Sequence, residues 1–188
     1  MSDPRDRVLA MLRAHASQSL DVHEVAMTAE MIRFVETHAD CFLRSCTPGH
    51  LTGSAWIVSP DRKRTLLTHH HKLDKWLQLG GHADGETDLL AVALREAREE
   101  SGLTRLGAVG AVPFDVDRHW IPARKGEPGH YHHDVRFMIE ADPDEPLMIS
   151  NESKDLAWVE IARVTSLNPE ESMARMVRKT QTFRTKVP

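Results

Sequence analysis

The sequence predicts an α/β (α+β) sandwich, with a mixed sheet around a central helix and helical segments before and after it. Two observations carry that class. Segments rich in β-forming residues recur at 51–59, 64–71, 106–120, 132–141 and 156–161, and among them stands one uninterrupted helical run at 87–100. A third observation sets the ends apart: residues 5–46 and 169–183 have helical rather than strand texture.

Taken in order, Val8, Leu9, Met11 and Leu12 form a short apolar face, followed by a break at Ser-Gln-Ser-Leu-Asp. Met27, Met31, Phe34, Val35, His38 and Phe42 then recur at steps of three and four, as on an amphipathic helix. Thr47-Pro48-Gly49 closes this region. Leu51 to Ser59 alternates as a strand, Pro60-Asp61-Arg62-Lys63 reads as a turn, and Arg64 to His71 as the returning strand of a hairpin. The stretch from Leu73 to Gly81 leads into the helix over Thr87 to Glu100, where Leu89, Leu90, Ala93, Leu94 and Ala97 share an apolar face. Gly102 is its expected stop. Strands over 106–120 and 132–141 flank a polar loop at 121–131, and a short strand follows at 156–161. Asn168-Pro169-Glu170-Glu171 has the cap, the first-turn proline and the acids of a helix start; Met173, Met176 and Val177 form that helix's apolar face. The expected organisation is a helical extension at 1–48, a central domain at 49–165 and a C-terminal helix at 166–188 packing on that domain.

Composition narrows the function. The 188 residues are 40% hydrophobic and 28% charged with a formal net charge of -4, so no basic excess points to a nucleic-acid polymer. No apolar run approaches the roughly 18–20 residues of a membrane span. Asp3 and Asp6 precede the first apolar patch, which does not read as a signal peptide. Cys41 and Cys46, placed on the helical stretch, read as reduced thiols, consistent with a cytoplasmic protein.

The chemistry concentrates at residues 80–103. On a helix, Glu96 lies beside Glu99 and Glu100, at i+3 and i+4, so three carboxylates crowd the C-terminal, negative end of the dipole. For stability alone that is the wrong end. A solvated surface screened by Arg95 and Arg98 is the plain reading; a hard divalent cation, which takes oxygen ligands, is the functional one.

Context favours the cation. Gly81, Glu86 and the run Arg95-Glu96-Ala97-Arg98-Glu99-Glu100-Ser101-Gly102-Leu103 resemble the box of the Nudix hydrolases, the MutT-like family. The distance from Gly81 to Arg95 matches, but Glu86 sits one residue early, leaving Glu86 or Thr87 to fill the first glutamate's place. The hairpin, Trp76-Leu77-Gln78-Leu79-Gly80-Gly81 and Glu152 to Val159 extend the likeness.

The resemblance implies the Nudix sandwich and hydrolysis of a pyrophosphate bond in a nucleoside diphosphate derivative such as a nucleotide sugar or ADP-ribose. It implies Mg²⁺ or Mn²⁺ on Glu96, Glu99 and Glu100, with the Gly81 carbonyl a further ligand. Glu99 becomes the candidate base, Arg95 the anchor of the glycine-rich loop and Glu152 an assisting carboxylate. Arg136, Trp120 and Tyr131 are candidate substrate contacts, a phosphate anchor and two stacking surfaces. The partner is a small nucleotide, with a homodimer open.

His50, His82, His132 and Asp134 raise a rival. Their placement is similar to that of the isopentenyl-diphosphate isomerases, which bind metal through histidines and carboxylates. Those enzymes need a cysteine where Gly80 stands, so isomerisation is not expected; a second site for Zn²⁺ or another transition metal remains open. The plainer alternative puts His69 to His71 and His130 to His133 at strand ends in a polar cleft. A catalytically silent Nudix-fold binding module is the other alternative, opposed by the intact glutamates.

Overall fold

A computed structural model describes residues 3–19, 21–124, 126, 128–151 and 153–182. The elements are α1 (Arg5–Ala16), α2 (Val22–Thr37), β1 (Gly49–Val58), β2 (Arg64–His70), β3 (Lys75–Leu77), β4 (Leu79–His82) and α3 (Leu89–Ser101). They continue with β5 (Leu106–Ala108), β6 (Asp115–Ile121), β7 (His130–Ala141), β8 (Ser153–Glu160), a short 3-10 turn (Ile161–Arg163), α4 (Val164–Leu167) and α5 (Glu171–Thr182). Hydrogen-bonded strands follow the order β3-β2-β1-β7-β5, with β4 also on β1, β6 on β7 and β8 on β2. The α+β class expected from the sequence is the one observed.

The chain divides into two compact units, and β1, β4, α3 and β7 each contribute residues to both. The first comprises 1–54, 80–93 and 110–137. Helices α1 and α2 pack together, and Val8, Leu12, Met31 and Val35 on them are essentially buried. Asp21 caps α2 by accepting the Glu24 N–H at 2.9 Å. Glu24 is itself a buried carboxylate: it meets His15 Nε2 at 2.8 Å and accepts the Val116 N–H of β6 at 3.2 Å. On the same side of β6 and β7, Phe34 stacks on His133 at 4.0 Å and Glu30 pairs with Arg118 at 2.6 Å. Strand β1 is buried along its whole length because both faces are covered, one lined by His50, Thr52 and Ser54, the other by Leu51.

The second unit comprises 55–79, 94–109 and 138–188. Strand β2 is its centre, paired antiparallel with β3 and β8, with a register shift at His69/His70. Asn168 starts the last helix, its Oδ1 accepting the Glu170 N–H at 3.0 Å. Met173, Met176 and Val177 of α5 are buried, and Trp56 Nε1 donates to Thr180 Oγ1 at 2.8 Å.

Two sequence expectations need correction. The helical stretch expected to reach residue 46 stops at Thr37, and Cys41 and Cys46 lie on turns. His38 is extended, and three i→i+3 bonds follow: Cys41 to His38, Leu43 to Asp40 and Cys46 to Leu43. Successive tight turns bury residues at nearly the spacing of a helix, which is why the pattern misled. Both thiols are free and buried, and burial pushes them up, Cys41 to about 12 and Cys46 to about 11. The strand expected over 106–120 is two strands, β5 and β6, interrupted where Gly110 and Pro113 fall.

Candidate functional site

Helix α3 begins at a built cap. Asp88 Oδ1 accepts from the Leu90 and Ala91 N–H groups at 3.2 and 3.3 Å, and Glu86 Oε1 accepts the Asp88 N–H at 2.8 Å. The exposed Glu86 thus orders the turn into the helix, next to a half-buried Thr87. At the far end Gly102 takes a φ of +74° and donates to the Arg98 carbonyl at 2.8 Å. A Cβ there would lie 2.7 Å from Met148 Cβ.

Between these ends the buried stripe changes character. Leu89 and Ala93 are 2% and 0% exposed, and the same line of steps (four, three, four) continues to Glu96 and Glu100, both half-buried. Carboxylates thus occupy positions where an amphipathic helix would carry apolar side chains. Glu99 is exposed beside them. Arg95 pairs with Glu96 at 2.7 Å. The three carboxylates give this turn, at the negative end of the dipole, an oxygen-rich donor set suited to a hard divalent cation. Gly81 lies half-buried on β4, in the first unit. Gly80 before it is set by close approach: a Cβ would lie 2.2 Å from Ser54 Oγ, so the cysteine of the isomerase pattern has no room there. Glu152 lies outside the described residues.

The first unit holds a different constellation. Antiparallel register sets His132 opposite His119, Asp134 opposite Asp117 and Arg136 opposite Asp115, so one face of β6 and β7 carries all six. His50 on β1 and His82 on β4 meet the same imidazoles. His82 Nε2 and His130 Nε2 each lie 3.3 Å from His132 Nε2, and the ring centroid of His50 is 5.0, 4.8 and 4.9 Å from those of His82, His130 and His132. Among the described residues, His50, His130 and His132 form the group whose ligand atoms all fall within 4.8 Å of one another. Burial, reinforced by neighbouring positive charge, lowers His82 to about 4 and His132 to about 2, so these rings are neutral at physiological pH.

Asp134 and Arg136 are engaged elsewhere. Asp134 Oδ1 accepts from Thr52 at 2.8 Å and from Ser54 at 2.7 Å, and Oδ2 accepts from Arg136 Nε at 2.7 Å. Arg136 also reaches Asp115 at 3.0 Å and Asp117 at 3.4 Å. Burial alone would raise Asp134, but Arg136, His119 and the Ser54 hydrogen bond more than offset it and hold the carboxyl low. Burial opposes the Arg136 charge, and its three carboxylates restore it. The expected metal ligand and the expected phosphate anchor therefore spend their charge on each other, because a guanidinium 3% exposed requires carboxylate partners. Trp120 is 53% exposed and edge-on to Tyr131, whose ring lies under Arg118 at 4.4 Å, giving an aromatic surface on which a base can stack. Sequence reasoning did not single out His130 as a ligand. Its two-residue spacing from His132 on a strand was the available signal.

A model of the NUDIX domain matches residues 50–180. The chain belongs to the Nudix family. It is accordingly a Nudix pyrophosphohydrolase, and enzymes of this family generally use divalent metals. Its fold is similar to a NUDIX-family hydrolase from Clostridium perfringens, at 21% identity and TM-score 0.57 over 72% of this chain and 98% of that one. A C. elegans Ap4A hydrolase in a binary complex matches at 17% identity and TM-score 0.56, covering 71% and 96%. The NUDIX domain of Shewanella oneidensis NrtR, complexed with ADP ribose, matches at 15% identity and TM-score 0.50, covering 70% and 86%. No curated protein matches the chain closely enough to count as a relative.

Proposed function

We propose that this Nudix chain hydrolyses the pyrophosphate bond of a nucleoside diphosphate derivative, such as a nucleotide sugar or ADP-ribose, with Mg²⁺ or Mn²⁺ held by Glu96, Glu99 and Glu100. The observation that carries the proposal is the run of carboxylates continuing the buried stripe of α3 into its last turn. Acids there oppose the negative end of the dipole, which favours basic side chains.

A bound cation supplies charge to offset the anionic diphosphate and acidity to an attacking water. The chain supplies the rest. Glu96 and Glu100, half-buried, hold their oxygens on one side of the helix, and the Arg95 pair restrains Glu96. Glu99, exposed beside them, is our candidate to take the proton of the water. Water adds to one phosphorus, the bridging P–O bond breaks, and the leaving phosphate departs with the bond's electron pair. The choice of diphosphate derivatives is in keeping with the similarly folded proteins that act on Ap4A or bind ADP ribose.

The test is a hydrolysis screen of nucleotide sugars, ADP-ribose, dinucleotides and nucleoside triphosphates with each cation, products being read by phosphorus NMR. Cleavage by wild type and its loss in Glu99→Gln supports the proposal. If wild type cleaves nothing while Glu99→Gln binds the same compounds equally well, a nucleotide-binding module is the better reading.

A further inference from the structure

We propose that His50, His130 and His132, with His82 beside His132, form a binding site for one divalent transition metal of the zinc class, separate in donor chemistry from the glutamates of α3. Three strands contribute. His50 comes from β1, His82 from β4, and His130 and His132 from alternate positions of β7 that share a face.

The distances match what a metal requires. Zinc–nitrogen bonds of roughly 2.0–2.1 Å at tetrahedral angles hold ligand nitrogens about 3.3–3.4 Å apart. Two Nε2 to Nε2 separations, His82 to His132 and His130 to His132, are 3.3 Å.

His130 Nδ1 lies 2.9 Å from the Pro128 carbonyl, the kind of backbone contact that commonly fixes a ligating histidine, while its Nε2 faces His132. Imidazole nitrogens without a carboxylate suit zinc, copper or nickel, whereas Mg²⁺ and Mn²⁺ favour oxygen. The two candidate sites are thus chemically sorted.

The experiment uses the full chain, prepared without a histidine tag, loaded with Zn²⁺, dialysed, and assayed by mass spectrometry; a second sample is loaded with Co²⁺ for its visible spectrum. We expect about one zinc per chain and the intense bands of a tetrahedral cobalt site with nitrogen ligands. His132→Ala and His130→Gln should weaken zinc by more than the roughly 10–100-fold that loss of an outer partner costs. Circular dichroism checks that each variant is folded, and His130→Gln keeps a polar side chain should His132→Ala fail to fold. Glu99→Gln and the exposed His71→Ala should retain the metal. Absence of zinc after dialysis, or equal zinc in folded His130→Gln, overturns the site. Loss of zinc in Glu99→Gln also overturns it, by assigning the metal to the acidic helix. Hydrolysis is not part of the readout, so failure of this site and failure of the proposed activity are distinguishable.

Discussion

The acidic turn of α3 and the polar face of β1, β4, β6 and β7 are built on opposite plans. On the helix, three carboxylates are neighbours because they are close in sequence, and their cluster is only partly removed from water. On the sheet, His50, His82 and His132 come from distant parts of the chain, and a guanidinium and three carboxylates are buried below them. A local cluster can keep its charge because solvent screens it. A buried cluster must balance its charge internally. On the proposed function, substitution in the first should cost chemistry before stability, and in the second stability first.

The sharpest break of that contrast is Arg136→Met. It leaves Asp115, Asp117 and Asp134 without their shared cation, and the expected cost is about 3–5 kcal/mol, read as a shift in the urea midpoint. A cost under about 1 kcal/mol would remove the sheet face from the class of internally balanced clusters.

Glu99→Gln should do the reverse. Its kcat is expected to fall by roughly 100-fold or more, about 2.7 kcal/mol of barrier, with little change in thermal midpoint. Steady-state kinetics beside a melting curve checks both halves.

Gly102→Ala tests the geometry that ends the acidic turn. A positive φ and a Cβ meeting Met148 should together cost about 1–3 kcal/mol, measured by denaturant titration. Asp88→Ala removes the cap at the other end and should cost about 1 kcal/mol by the same titration. The smallest expected effect is the most diagnostic. Without divalent cations, Glu99→Gln should stabilise the chain by about 0.3–1 kcal/mol, because it removes a negative charge from the negative end of α3. A destabilisation instead would mean that Glu99 serves the fold.

Legibility followed the same division. The Gly102 stop, the Asn168 start and the carboxylate cluster were readable because each is decided within a few residues, whereas the helix expected from Thr87 begins at Leu89 behind the Asp88 cap. Residues 38–46 were misread because consecutive tight turns bury Cys41, Phe42 and Cys46 at helix-like intervals. Asp134 and Arg136 looked available to ligands, since nothing local announces that Asp115 and Asp117 lie across the ladder.

By itself the sequence determined that a chain of this composition forms an α+β sandwich, that its central helix stops at Gly102, and that three carboxylates gather on it. Helical spacing and capping are properties of neighbouring residues, so no tertiary information was needed. Only the tertiary structure decided that His130 joins His50, His82 and His132, and that Arg136 turns inward to carboxylates. Strand register brings together residues far apart in the chain, and burial then fixes which charges must pair.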